Sequence, residues 1–169
     1  MPFLKDERFF KTVIYMCAHS SEGSMGIIIN KKIDYDLYPD LLEQLGIDKP
    51  FDNKKLFIRY GGPVESGRGF VLHSPEYSLG DETLKIGSNF GMTASFEVLE
   101  ELAKREGPKS GILMLGYSGW GPGQIEDEIS LNGWLVCDAD PDLVFSSDTN
   151  NKWLEALKLM GVDPLRLSS

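Results

Sequence analysis

The amino-acid sequence predicts an α+β fold: one domain, residues 1–169, with a mostly antiparallel sheet and flanking helices. Short β-rich runs come in pairs separated by turn residues, whereas a doubly wound sheet alternates strands with helices. The length suits one domain with a sizeable core. Hydrophobic residues make up 41% and charged residues 25%, as in folded globular chains. Neither a repeat nor a linker is visible, so we expect no second domain.

The first half of the chain predicts a β-hairpin, a helix and three further strands. Residues 12–17 and 25–30 are β-rich, and Ser20-Ser-Glu-Gly23 supplies turn residues between them. Apolar residues at helical spacing predict a helix over residues 37–45, ending at Gly46. The further strands are expected at residues 55–59, 69–73 and 83–86.

The second half alternates predicted helices and strands. Thr93 or Ser95 is expected to cap a helix that ends at Gly107-Pro108. The remaining predicted elements are a buried strand at 111–115, a short helix at 124–129, a strand at 133–137 and an amphipathic helix at 149–160.

The charge balance disfavours direct binding to nucleic acid. The formal net charge is −9, and the basic residues form only isolated pairs such as Lys31-Lys32 and Lys54-Lys55. Binding to a phosphate backbone requires a cluster of cations. No segment approaches the ~18 apolar residues of a membrane span, and the first residues lack a signal-peptide pattern. We therefore expect a monomeric cytoplasmic protein that binds neither nucleic acid nor membrane.

The number and spacing of the cysteines and histidines disfavour a metal site. Cys17 and Cys137 each end an apolar run and are expected to be buried free thiols. A zinc site would need both of them together with His19 and His73, at spacings unlike the usual tight pairs. No metal or cofactor is expected.

The segment at residues 116–129 has the highest density of residues that suggest a functional site. It is predicted to leave a strand, cross four glycines, and enter a helix whose first turn holds Glu126, Asp127 and Glu128. A helix N-terminus behind a glycine-rich loop can hold an anion, but these carboxylates would repel phosphate. The structural alternative is a tight strand-to-helix corner with Tyr117 and Trp120 packed against the sheet.

The same segment nearly matches the nucleophile elbow of hydrolases. Trp120 replaces the last glycine of the Gly-x-Ser-x-Gly motif around Ser118, and both histidines precede that serine. A hydrolase based on Ser118 is therefore disfavoured.

A second block joins Gly61-Gly-Pro63 to Arg68 and His73. Five residues separate the last two, so in an extended strand their side chains point to opposite faces. Arg68 suits either a salt bridge with a nearby acid or an exposed recognition site.

Taken in order, these blocks resemble the AlgH/YqgE family of bacterial proteins over essentially the whole chain. The segments that carry the resemblance are Phe9-x-x-Thr-Val-Ile-Tyr15 with His19, Gly26-Ile-Ile-Ile-Asn30, Gly61-Gly-Pro-Val64, Arg68-Gly-Phe-Val-Leu-His73, Gly116-Tyr-Ser-Gly-Trp120, Gly123-Gln-Ile-Glu126, Asn132-Gly-Trp-Leu135 and residues 138–145. The resemblance implies a bent antiparallel sheet forming a pseudo-barrel. Members are often labelled transcriptional regulators, without a recognised DNA-binding motif or an established enzyme activity.

Three functions follow as hypotheses. The favoured one is a non-enzymatic protein that influences gene expression indirectly, through a protein or small-molecule partner. One alternative is an unrecognised enzyme with its site at the junction of Gly116–Glu128 and Gly61–His73, and the other is a direct DNA-binding regulator. Any site is expected where residues 116–124 meet residues 61–73. The candidate binding residues are Arg68, His73, Tyr117, Trp120, Gln124 and Glu126, with Asn30 and His19 as weaker members.

Overall fold

A computed structural model describes residues 6–33, 56–95, 97–104 and 106–167. Within these residues the strands are β1 (Ile14–Ser20), β2 (Gly23–Ile28), β3 (Leu56–Tyr60), β4 (Val64–His73), β5 (Thr83–Ile86), β6 (Phe90–Thr93) and β7 (Gly111–Trp120). The α-helices are α1 (Glu97–Lys104), α2 (Gln124–Ser130), α3 (Pro141–Phe145) and α4 (Lys152–Leu159), and short 3-10 helices span Glu7–Phe9, Gly80–Glu82 and Pro164–Leu167.

Strand β7 is the centre of the sheet. The strand order is β1-β2-β7-β4-β6-β5, with β3 paired to β7 as well. The β3–β7 pair is parallel, and the other pairs between named strands are antiparallel. The sheet closes into a near-barrel, which confirms the predicted α+β class and its bent, mostly antiparallel sheet.

Strand β3 enters the sheet where β2 and β7 separate. Gly61, just after β3, accepts a hydrogen bond from the Ile28 amide and donates one to the Leu115 carbonyl, both at 2.8 Å. At this fork β7 passes through Gly116, whose φ of +70° favours glycine. The fork lets one long strand pair with β3 through its first half and with β2 at its end.

Both faces of β7 are covered by apolar side chains, as its alternation requires. Ile112 and Met114 belong to the core cluster that also holds Phe70 and Phe90. Leu113 and Leu115 belong to a second cluster on the other face. A smaller cluster of Trp120, Ile125 and Trp134 lies at the end of the strand.

Helices α3 and α4 are joined by a buried cation. The Lys152 ammonium donates to the carbonyl oxygens of Leu143 at 2.7 Å and Val144 at 2.5 Å. These carbonyls lie in the last turn of α3, where the helix dipole favours positive charge. Burial lowers the pKa of Lys152 to about 8. None of the described helices is long and apolar enough to cross a membrane.

Most predicted elements that fall on described residues are confirmed. The first hairpin, the strands of β3, β4 and β5, and helices α1, α2 and α4 are present with shifted ends. The predicted helix at 37–45 lies outside the described residues. Strand β6 was not predicted, because Phe90–Thr93 is only four residues long and begins beside turn residues.

Two predictions were wrong. Residues 133–137 form an irregular segment, because Trp134 turns inward while Leu135 and Val136 face solvent. Cys137 lies in this segment and is exposed, whereas Cys17 is buried as expected. Strand β7 continues past the predicted end at Leu115 to Trp120. The tight strand-to-helix corner therefore lies at residues 121–123, with Trp120 buried.

Candidate functional site

The two glycine-rich blocks do meet, as predicted, at the fork of the sheet. A Cβ on Gly62 would collide with the backbone of Tyr117, and one on Gly116 would lie 2.8 Å from the Val64 carbonyl. The close approach therefore serves strand packing. Ser118 is buried here, and its Oγ has no hydrogen-bond partner among the described residues. The nearby Tyr117 ring packs edge-on against Phe70, with ring centroids 6.0 Å apart.

His73 lies at the far end of β4, away from this fork. It pairs with Gly111, and its imidazole is fully buried. Its Nε2 lies 2.9 Å from Thr93 Oγ1, and its Nδ1 lies 2.8 Å from the Ser74 carbonyl oxygen. Burial lowers the pKa of His73, so the ring is neutral at pH 7. In this geometry the ring links β4 to β6.

Arg68 is exposed and separate from His73. Its guanidinium forms a 2.9 Å ion pair with Glu65 and lies over the Phe70 ring, 5.1 Å from the centroid. Of the two roles weighed for Arg68, the geometry matches the salt bridge.

Gln124 and Trp120 are brought together by Glu128, a residue that sequence reasoning did not select. The indole nitrogens of Trp120 and Trp134 both donate to Glu128 Oε2, at 3.0 and 2.6 Å. Gln124 Nε2 donates to Glu128 Oε1 at 2.9 Å, and Gln124 Oε1 accepts from the Gly121 amide at 3.0 Å. We call these four side chains the indole–carboxylate cluster. Trp120 is thus a buried structural residue of the cluster as well as a predicted site residue.

His19 and Glu126 also meet, on the exposed side of the hairpin. His19 Nε2 lies 3.6 Å from Glu126 Oε1, and His19 Nδ1 lies 2.7 Å from Ser24 Oγ. Asn30 lies elsewhere and ties the strand ends together: its Oδ1 accepts from the Val13 amide, and its Nδ2 donates to the Lys11 carbonyl.

The four zinc candidates are not assembled. Thr93 and Ser74 flank the ring nitrogens of His73, and the Cys17 thiol donates to the Tyr15 carbonyl at 3.6 Å. Among the described residues no group of three or more potential metal-ligating side chains occurs.

A large groove lies next to the indole–carboxylate cluster, and Trp120 and Trp134 of the cluster line it. Its volume is about 600 Å³, and it runs between β1, the β5–β6 turn, residues 134–140 and helices α3 and α4. Its apolar side chains include Met16, Ile129, Trp134, Leu135, Val136 and Met160. We call this cavity the apolar groove. Trp120 forms part of its wall, so it is the one predicted site residue that lines it.

Several apolar side chains of the groove remain open to solvent. Val136 is 71% exposed, while Ile129, Leu135 and Met16 are between 36% and 38% exposed. Large apolar surface that the fold leaves exposed in one place indicates a binding surface. Sequence reasoning missed it because it assigned residues 133–137 to a strand. The sequence feature that could have revealed the groove is the run Trp134-Leu-Val136, which precedes the acidic residues Asp138 and Asp140 and has no strand to pair with among the described residues.

The charged side chains that line the described part of the groove are both acidic. Asp140 Oδ1 accepts from the Asp142 amide at 2.9 Å and so caps α3. Asp138 forms no ion pair with the described residues. Partial burial and the adjacent Asp138 raise the pKa of the Cys137 thiol, which also lines the groove.

A family model described as AlgH-like matches residues 1–165. The chain belongs to the AlgH-like family. Its relatives include a UPF0301 protein of Ruegeria pomeroyi, 51% identical over all of this chain and 92% of its own length. Another, from Cereibacter sphaeroides strain KD131, is 47% identical with the same coverage.

Two solved structures resemble this AlgH-like chain. The solution structure of the AlgH protein from Pseudomonas aeruginosa is 37% identical, with a TM-score of 0.81, covering 100% of this chain and 89% of the other. A crystal structure of a protein from Corynebacterium diphtheriae has a TM-score of 0.70 at 20% identity, covering 98% and 85%. The second likeness is one of fold alone. The family identification predicted from the sequence blocks is confirmed.

Proposed function

We propose that this AlgH-like protein is a non-enzymatic binding protein that influences gene expression indirectly, by holding the apolar part of a partner in the apolar groove. The observation that carries the proposal is the groove itself, with Val136 71% exposed on its rim. The indirect route is supported by the net charge of −9, which opposes binding to a phosphate backbone.

The composition of the groove supports a binding role. Its volume lies within the roughly 300–1,000 Å³ of typical ligand sites, which are mostly apolar with a few polar groups. Met16 and Met160 are flexible side chains that adapt to the shape of a ligand, and Trp134 offers a large rigid surface.

A titration with the uncharged dye Nile red tests the groove. We expect saturable fluorescence enhancement for the unaltered protein and loss of it in Val136→Glu. Leu165→Glu is the matched control, because Leu165 is 84% exposed and does not line the groove. Both substitutions add one carboxylate to an exposed position, so both variants should fold. Equal dye binding by the two variants would refute the groove as the site.

The regulatory part needs a test in cells. Transcript profiles are compared between the deletion strain and strains producing Val136→Glu or Leu165→Glu. We expect Val136→Glu to reproduce the deletion and Leu165→Glu to match the unaltered protein. Identical transcript profiles for the deletion strain and its parent would refute the regulatory proposal.

An enzyme is the second candidate, and the contact among Ser24, His19 and Glu126 favours it. A serine hydroxyl, an imidazole and a carboxylate stand in the order used for nucleophilic catalysis. His19 and Glu126 are both about half exposed, so solvent weakens their interaction. Covalent labelling by a fluorophosphonate, abolished in Ser24→Ala and in His19→Ala, would favour this candidate over the first.

A further inference from the structure

We infer that the occupant of the apolar groove is a cationic amphipathic helix of a partner protein, with its apolar face in the groove and its Lys or Arg side chains beside Asp138 and Asp140. This inference rests on the proposed function, because it names the partner chemistry of the same groove.

The charge of the groove selects a cation. Among the described residues that line it, Asp138 and Asp140 are acidic and none is Lys or Arg. Asp138 has no cationic partner within the described part of the chain, so its carboxylate can pair with a bound ligand. Both carboxylates would repel an anionic ligand, and an uncharged apolar ligand would gain no ion pair with either of them.

The open shape favours a helix over an enclosed small molecule. Pockets for small molecules bury most of the ligand surface, and their apolar walls are correspondingly covered. Here Val136, Leu135 and Ile129 stand partly in solvent along the rim. A helix laid in a groove contacts such a rim with apolar side chains at i, i+3, i+4 and i+7 and leaves its polar face in water.

Methionine side chains in the walls of the groove also favour a helical partner. Met16 on β1 and Met160 just after α4 both line the groove. Unbranched thioether side chains repack around different apolar side chains, which is why methionine is frequent in grooves that bind amphipathic helices. The combination of methionines, tryptophans and an acidic rim matches a helix that carries both apolar and basic residues.

The test uses two synthetic amphipathic peptides with identical leucine positions. One carries Lys at each polar position, and the other carries Glu. Binding to the full chain is measured by fluorescence anisotropy of labelled peptide and by displacement of Nile red. We expect the Lys peptide to bind at least tenfold more tightly than the Glu peptide, to displace the dye, and to weaken as salt is added.

Matched variants separate the groove from the overall negative charge. Asp138→Asn with Asp140→Asn removes the acidic rim, and Asn at position 140 can still cap α3. Asp81→Asn with Glu82→Gln removes the same charge from residues that do not line the groove. We expect the first pair to weaken binding of the Lys peptide by about threefold to tenfold and the second pair to change it by less than about twofold.

The outcomes distinguish this inference from the function on which it rests. If Nile red binds in the groove but the two peptides bind equally, the cationic helix is refuted and the binding function stands. Equal effects of the two double variants also refute it, because attraction would then come from net charge alone. If neither the dye nor either peptide binds, both proposals fail.

Discussion

Trp134 donates its indole N–H to Glu128 Oε2 at 2.6 Å, and this bond connects an irregular segment to helix α2. The same oxygen accepts from Trp120 at 3.0 Å, so one carboxylate holds the end of β7 and the start of residues 134–140 together. That segment is a wall of the apolar groove. The position of this wall therefore depends on the hydrogen bond between Trp134 and Glu128.

Removal of this carboxylate should destabilise the protein and loosen the groove. Glu128→Ala leaves two partly buried indole N–H groups without an acceptor, at a cost of about 1–3 kcal/mol. We expect a lower urea midpoint together with weaker Nile red binding. Glu126→Ala, on the same helix and exposed, is the control and should cost less than about 0.5 kcal/mol. Equal midpoints for the two variants would show that the indoles do not depend on Glu128.

Glycines at the fork of the sheet should be far less replaceable than a glycine in an open turn. Gly116 (φ +70°) and Gly123 (φ +74°) share the left-handed conformation, but only at Gly116 would a Cβ meet neighbouring backbone. We expect Gly116→Ala to cost about 2–5 kcal/mol from strain plus collision. Gly123→Ala should cost only about 1–2 kcal/mol, from strain alone. Chemical denaturation measures both, and similar losses would mean that the close approach to Val64 is easily relieved.

The two thiols should differ sharply in reactivity. Burial raises the pKa of Cys17 to about 12, so almost no thiolate is present at pH 8. Cys137 is exposed and should react with Ellman's reagent much faster than Cys17, although its raised pKa slows the reaction. The folded protein should therefore show one reactive thiol and the denatured protein two. Cys137→Ala should leave none in the folded protein. Because Cys137 lines the groove, a bound ligand should slow its reaction, and rapid labelling of Cys17 would contradict the burial.

Acidification should destabilise the protein through His73. Burial lowers the folded-state pKa of His73 below its ordinary 6.5, so the unfolded chain binds more protons between those two values. Stability is therefore fully present above about pH 6.5 and is lost as the pH falls toward the folded pKa. Thermal unfolding between pH 7.5 and 5.5 should show this decline, and it should be smaller in His73→Gln. His19→Gln removes the exposed histidine as a control. An unchanged decline in His73→Gln would assign it to other groups.

Sequence reasoning anticipated some of the contacts around the fork and the indole–carboxylate cluster. It placed the two glycine blocks together correctly and grouped Trp120 with Gln124, because both lie in one short segment. It missed the apolar groove, whose walls come from β1, the β5–β6 turn and residues 134–160. Side chains so far apart in the chain carry no common local pattern.

Local patterns by themselves determined the α+β class, the first hairpin and helices α2 and α4, because turn residues and apolar periodicity act over a few neighbouring residues. Motif order determined the family. The tertiary structure alone decided that β3 pairs in parallel with β7 and that β7 runs on through Gly116. It also decided that Trp134 turns inward to Glu128 while Val136 stays in solvent. An apolar run indicates how much side-chain surface can be buried. Which of its side chains is buried depends on the neighbouring elements that the rest of the fold places beside it.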